Sequence, residues 1–183
     1  MTAVIRTRRL ELRPAGLSDL EAELTGRAAL EARLGVAVPG DWPPELFDEA
    51  ALRYTIDVVR AAGGDSTWAM YYMVEPELAA VIGVCGYKGP PDAEGTVEVG
   101  YSVVGAFRRK GYATEATSGL VIRAFAEPSV VRVVAETMSD LAPSIGVLEK
   151  LGFRFAGVGA EPGVVRYEFT RIDFGNAELA FGA

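Results

Sequence analysis

The sequence predicts a mixed α/β (α+β) fold, a mostly antiparallel sheet of about seven strands flanked by helices. Three observations carry it. Short β-branched or apolar stretches recur between strong turn signals. Helical apolar spacing occurs in four longer stretches. The order then places one helix between two strands, a strand–helix–strand crossover, in a sheet otherwise joined by tight turns.

"TAVIRTRRLELRP" (residues 2–14) reads as a first strand closed by Pro14. Ser18-x-x-Glu21, with Asp19 between, forms a capping box that opens a helix running to about Leu34. A Pro/Gly-rich loop (residues 35–45) carries Trp42, and a second amphipathic helix follows over residues 45–62, stopped by "GGD". "TWAMYYMV", "LAAVIGVCGY" and "TVEVGYSVV" come next, separated by "EPE" and "KGPPDAEG", the pattern of an antiparallel meander. Over residues 112–126 apolar positions recur at helical spacing, and Pro128 lies beyond the end. "VVRVVAET" is almost wholly apolar, as expected of a strand covered on both faces. "APSIGVLEKLG" is a short helix with Gly152 just past its end, and "FRFAGV" and "VVRYEFTR" are closing strands.

With 183 residues, half of them hydrophobic, the chain is expected to form one domain over residues 1–183. Apolar runs are far too short for a membrane span, and the N-terminus lacks a signal-peptide core. The expected location is therefore the cytoplasm, and one cysteine, Cys85, agrees with a reducing compartment. A net charge of −7 argues against general nucleic-acid binding. The chain has no histidine, which excludes Ser-His-Asp and Cys-His catalysis and His-based zinc sites; no metal is expected. Proton transfer must use a carboxylate, a tyrosine, the thiol, a backbone group or water.

Against that acidic background one cluster stands out, "VEVGYSVVGAFRRKGYATEA" (residues 97–116). It places a strand end, a turn and a helix start in sequence. The first amides of a helix have no internal acceptor and carry the positive end of its dipole. Arg108, Arg109 and Lys110 add charge, Gly111 lets the backbone approach an anion, and Ala113 and Thr114 keep the first turn small. The cluster is neither a Walker A loop nor a three-glycine dinucleotide fingerprint. Such a turn is either an anion cradle or a solvated basic helix start.

The turn resembles the pyrophosphate-binding motif Arg/Gln-x-x-Gly-x-Gly/Ala of the GNAT (GCN5-related) N-acetyltransferases, here Arg108 to Ala113. "VEVGYSV" looks like that family's fourth strand, and "APSIGVLEKLGF" like its later Asn-x-x-Ser-x-x-Val-Leu-Glu-Lys-x-Gly-Phe element. "TRRLELRP" with Asp19 is similar to the opening of the branch that acetylates ribosomal-protein N-termini, the ribosomal-protein-serine/alanine N-acetyltransferases. The resemblance implies a fold whose fourth and fifth strands splay apart to admit the pantetheine of acetyl-CoA. Those strands would be residues 96–104 and 130–137. It further implies that amides near Val103 and Val104 contact the pantetheine or thioester. Arg108, Arg109, Lys110, Gly111, Tyr112, Ala113 and Thr114 would bind the pyrophosphate. Two departures are plain: the family Asn is Leu141, and the tyrosine of many relatives is Leu148.

The reaction so implied is direct attack of a primary amine, on a small molecule or a protein N-terminus, on the acetyl thioester in a ternary complex. Glu98, mid-strand, is the candidate base or water relay; alternatively it lies on a solvated face or pairs with a cation on a neighbouring strand. Ser144 is the candidate partner or proton donor for the thiol; alternatively it is an ordinary first-turn serine. Tyr101 and Tyr112 read as packing residues and Cys85 as a core thiol. Trp68 reads as core, and Trp42 as a residue that could meet substrate. A non-catalytic acyl-CoA-binding or sensing domain of the same fold is the main alternative, and a phosphate- or nucleotide-binding regulator of another fold is a third. Oligomeric state stays open, a homodimer included.

Overall fold

The computed structural model describes residues 3–177. In chain order the elements are β1 (Ile5–Arg6), β2 (Glu11–Pro14), α1 (Leu17–Thr25), α2 (Arg27–Leu34), α3 (Glu49–Ala61), β3 (Met70–Glu75), β4 (Ala80–Tyr87) and β5 (Thr96–Val103). After a short 3-10 turn (Gly105–Phe107) come α4 (Tyr112–Phe125), β6 (Arg132–Met138), α5 (Ala142–Lys150), β7 (Arg154–Val158), β8 (Val164–Thr170) and α6 (Arg171–Asn176). The strands form one sheet in the order β1-β2-β3-β4-β5-β6-β8-β7. Every neighbouring pair is antiparallel except β5–β6, which the α4 crossover makes parallel. The mixed, mostly antiparallel sheet expected from the sequence is thus present, with eight strands among the described residues in place of about seven.

The extra strand comes from the N-terminus. The expected single strand is a hairpin, closed where the Thr7 amide donates to the Leu10 carbonyl at 2.9 Å. The expected helix to Leu34 is two helices, broken at Gly26, whose φ of 134° no other residue adopts readily. Its N-cap is Gly16 rather than Ser18; the Asp19 carboxylate accepts from the Gly16 amide at 3.0 Å. The second amphipathic helix starts at Glu49, later than expected, because the Asp48 carboxylate caps the Ala51 amide at 2.9 Å. Helix α6, unforeseen, is capped by Thr170 and Asp173.

Two cores lie on opposite faces of the sheet. One packs Tyr71, Ile82, Val97 and Val99 under α4 and α5, with Leu120, Val121 and Leu148 fully buried. The other packs Tyr72, Val81 and Val84 under α1, α2 and α3, through Leu20, Leu30 and Ile56. Strands β3 and β4 are buried along their whole length because helices cover both faces. At about 1.5–3 kcal/mol per fully buried large aliphatic side chain, these cores fix the central strands from which the site is built.

Candidate active site

β5 and β6 pair only at their starts, Thr96 with Arg132, Val97 with Val133 and Glu98 with Val134. Beyond Glu98 they diverge, since each follows its outer neighbour: β5 stays paired to β4 as far as Val103–Gly83, and β6 stays paired to β8 throughout. Gly83 permits the tight end of the β4–β5 ladder; a Cβ there would lie 2.4 Å from the Ser102 carbonyl oxygen. The Val104 amide donates to the Ile82 carbonyl at 3.0 Å. In an antiparallel ladder the bonded pairs alternate, so the main-chain groups of Tyr101 and Val103 point away from β4 into the gap. The Val104 amide is spent on Ile82, which leaves the Val103 amide of the two expected to meet a thioester.

The gap opens into a cavity of about 850 Å³ whose lining includes Phe47, Tyr54, Tyr101, Glu136, Leu141 and Ser144. The wall from α3 and the loop before it, a contribution the sequence did not flag, is mainly apolar: Leu46, Phe47, Ala50, Ala51 and Val58. Trp42 does not line it. Its indole donates to Glu23 at 2.7 Å, and Tyr72 donates to the same carboxylate at 2.6 Å, pinning the loop to α1 and β3. Burial raises the Glu23 carboxyl above its ordinary range, against the lowering effect of those hydrogen bonds. Trp68 packs on Tyr87 with ring centres 4.8 Å apart.

At one end of the gap the cationic turn leads into α4. Gly111 is the N-cap, left-handed at φ 83°, and brings no capping side chain, so the amides of Tyr112, Ala113 and Thr114 are free of intrahelical partners. Arg108 donates through Nε to the Val103 carbonyl at 2.9 Å and pairs through Nη1 with Glu45 at 2.8 Å. Ser102 also donates to the Glu45 carbonyl, so the loop before α3 is tied to both ends of this turn. Arg109 and Lys110 are exposed, and Tyr112 is buried beneath the Arg9 guanidinium, 4.2 Å from its ring centre.

Glu115 fastens the start of α4 to the first hairpin. Its carboxylate accepts from Thr7 Oγ1 at 2.7 Å, the Arg9 amide at 2.6 Å and Arg9 Nε at 2.7 Å. Burial alone would raise its carboxyl, but these hydrogen bonds and the Arg9 charge outweigh it and hold it below the usual range. Arg9 Nη1 also donates to the Lys110 carbonyl at 3.0 Å, buttressing the turn.

Glu98, Gly100 and Ser102 project to the α3 side of β5, and Val97, Val99 and Tyr101 to the α4–α5 side, as strand alternation requires. Glu98 pairs with Lys88 on the segment after β4. It is not part of the cavity lining, whereas Lys88 and Glu136 are. Burial would raise Glu136, but the Arg166 hydrogen bond at 2.9 Å, the Ala160 amide and the Arg166 and Lys88 charges hold it low. On the other side the Tyr101 hydroxyl meets Ser144 Oγ at 3.1 Å and donates to the Ser144 carbonyl, also at 3.1 Å. Cys85, directly opposite Tyr101 on β4, is buried, which pushes its thiol well above the ordinary range and leaves it inert as a nucleophile. Leu141 heads α5 without a side-chain cap, so the family Asn has no polar substitute at that position.

The model of the acetyltransferase (GNAT) domain matches residues 9–154. The chain belongs to the GNAT acetyltransferase family. It is 30% identical to an uncharacterized N-acetyltransferase, YjdG of Bacillus subtilis (strain 168), over 150 residues, 82% of this chain and 89% of that relative. Among solved structures, an acetyltransferase from Agrobacterium tumefaciens str. C58 superposes with a TM-score of 0.67 at 21% identity, covering 93% of this chain and 96% of that one. RimL, a ribosomal L7/L12 alpha-N-protein acetyltransferase solved with coenzyme A, superposes with a TM-score of 0.66 at 20% identity, covering 93% and 99%. These likenesses confirm a GNAT fold, and family membership supports N-acetyltransferase activity in general. Among the described residues no group of three or more Cys, Asp or Glu is placed to hold a metal ion, and no helix is long and apolar enough to cross a membrane.

Proposed function

We propose that this GNAT protein, as one domain over its whole length, transfers the acetyl group of acetyl-CoA to a primary amine by direct attack in a ternary complex. The observation that carries the reading is the alignment of three features. The parted β5–β6 strands, the inward Val103 amide and the uncapped, cation-flanked start of α4 follow one another along the chain, and Arg108 ties the turn back to Val103. Pantetheine entering the gap would extend the sheet, and the pyrophosphate would meet Gly111, the amides of Tyr112, Ala113 and Thr114, and the charges of Arg108, Arg109 and Lys110. The Val103 amide is oriented to support the thioester oxygen as negative charge develops there.

The amine enters from the α3 side. An ammonium must lose a proton before it attacks, and Glu98 on that face, paired with Lys88, accepts it through water. Ser144 lies on the opposite side, toward the departing sulfur. The apolar α3 wall beside Glu136 and Glu161 suits an amine carried on an apolar neighbour, and a protein N-terminus of the kind named for RimL is one such acceptor. The Lys88–Glu98 ion pair and the place of Glu98 outside the cavity lining favour the second reading, an acyl-CoA sensor without turnover. Thiol release from acetyl-CoA, followed over a panel of free amino acids, polyamines, amine antibiotics and peptide N-termini, separates the two. Amine-dependent release supports transfer; binding with no release across the panel selects the sensor.

A further inference from the structure

We propose that Gly100 is the floor of the acceptor pocket and sets the size of the group carried on the carbon next to the attacking amine. The inference rests on the acetyl-transfer reading above and narrows the acceptor to an amine whose neighbouring carbon bears a bulky apolar side chain. Four glycines lie inside the described strands, Gly83, Gly86, Gly100 and Gly157. Three of them have a reason in the fold. A Cβ on Gly83 would lie 2.4 Å from the Ser102 carbonyl oxygen, and one on Gly86 would lie 2.3 Å from the Ala69 carbonyl oxygen. Gly157 has a φ of 118°, which other residues rarely adopt. Gly100 has neither reason. Its φ lies outside the left-handed region, and a Cβ built on it meets no atom within 4 Å. A glycine inside a strand weakens it, and one that the backbone does not require marks the close approach of a ligand.

The surroundings of that open space fit an acceptor. Gly100 stands opposite Gly86 on β4, so two residues without side chains lie side by side on the α3 face of the sheet, and both line the cavity. Two residues along, that face carries Ser102 with Val84 in one direction and Glu98 with Lys88 in the other. Met70 of β3 pairs with Gly86 and bounds the floor on that side. On the other side β5 and β6 have parted, and their register, Glu98 with Val134, puts Glu136 in step with Gly100 across the gap. The facing wall from α3 and the loop before it is apolar apart from the Tyr54 hydroxyl. An amine that reaches the thioester between Glu98 and Glu136 therefore leaves its neighbouring side chain over Gly100 and Gly86, against that apolar wall.

Gly100→Ala and Gly100→Val test this with amino-acid amides of one charge and graded bulk: glycinamide, alaninamide, leucinamide and phenylalaninamide. Thiol release gives kcat/KM, calorimetry gives Kd for acetyl-CoA, and thermal melting reports on the fold. The parent should prefer leucinamide or phenylalaninamide to glycinamide. Gly100→Val should lower the leucinamide-to-glycinamide ratio of kcat/KM about tenfold or more, and Gly100→Ala should lower it by a smaller factor. Acetyl-CoA Kd should stay within about threefold of the parent for both. Because β5 gains a side chain that nothing obstructs, Tm of Gly100→Ala should rise by about 1–4 °C.

An unchanged ratio in Gly100→Val overturns the inference. So does weaker acetyl-CoA binding beyond that range, which would give the floor to the cofactor, and so does a Tm of Gly100→Ala below the parent's, which would show that the fold needs this glycine. A parent that acetylates none of these amides but does acetylate another amine loses this inference and keeps the proposed function. A parent with no amine-dependent thiol release across the whole panel loses both.

Discussion

Replacing Gly111 with alanine separates a turn that merely starts a helix from one that binds pyrophosphate. Gly111 is left-handed at φ 83°, and a Cβ built there meets nothing closer than Arg9 Nη2 at 3.5 Å. The substitution therefore adds backbone strain without a clash, about 1–2 kcal/mol. For a chain of this length that lowers Tm by about 2–8 °C. Strain relaxes by rotating the peptide that aims the α4 amides, and losing one hydrogen bond to a charged group costs about 1.5–3 kcal/mol, or about 10- to 150-fold in coenzyme A affinity. Gly35→Ala is the control. Gly35 is also left-handed, at φ 68°, with open space around its Cβ position, and it ends α2 far along the chain from the cationic turn. Thermal melting and calorimetric titration of coenzyme A on both variants are the assay. Both lose similar Tm, and only Gly111→Ala loses affinity. A coenzyme A Kd within twofold of the parent for Gly111→Ala would refute the cradle, leaving Gly111 as a helix start alone.

Three further outcomes are expected. Glu45→Gln frees Arg108 from an ion pair that the pyrophosphate must displace; the pair is well exposed, so coenzyme A should bind only about 1.5- to 5-fold tighter by calorimetry, and weaker binding would contradict the competition. Glu98→Gln lowers kcat about 100-fold or more with acetyl-CoA affinity unchanged, whereas Arg108→Ala does the reverse, and equal losses of affinity in both would erase the division of roles. Glu115→Gln costs about 1–3 kcal/mol in urea unfolding at pH 7. Because the folded carboxyl lies below its unfolded value, that contribution is present above about pH 4.5 and fades as pH falls through the lower folded value. The variant and parent should converge in acid, and a constant gap down to pH 2 would contradict the linkage.

Much of the architecture was legible because turn chemistry and apolar period are local. The "KGPPDAEG" turn, the helical spacing after Gly111 and the apolar "VVRVVAET" each marked their element. The errors have local causes as well. Gly26 interrupts a helical pattern without disturbing its apolar period, and Gly16 caps a helix through the carboxylate of Asp19 rather than through a side chain of its own. The order Arg108 to Thr114 was readable as a possible anion cradle because a strand, a cationic turn and a helix start are contiguous. The partners that surround the site were not, since they meet only in three dimensions: Glu45 pairs with Arg108, Lys88 with Glu98, and Ser144 meets Tyr101. Trp42, isolated in a Pro-rich loop, suggested substrate contact because nothing in its neighbourhood announced Glu23.

Calorimetric titration of acetyl-CoA into the intact protein and into Arg108→Glu tests the central claim most directly. The parent should bind one acetyl-CoA per chain and the variant at least tenfold more weakly, since its carboxylate puts a negative charge where a cation faced the pyrophosphate. No binding by the parent, or equal binding by both, would contradict it.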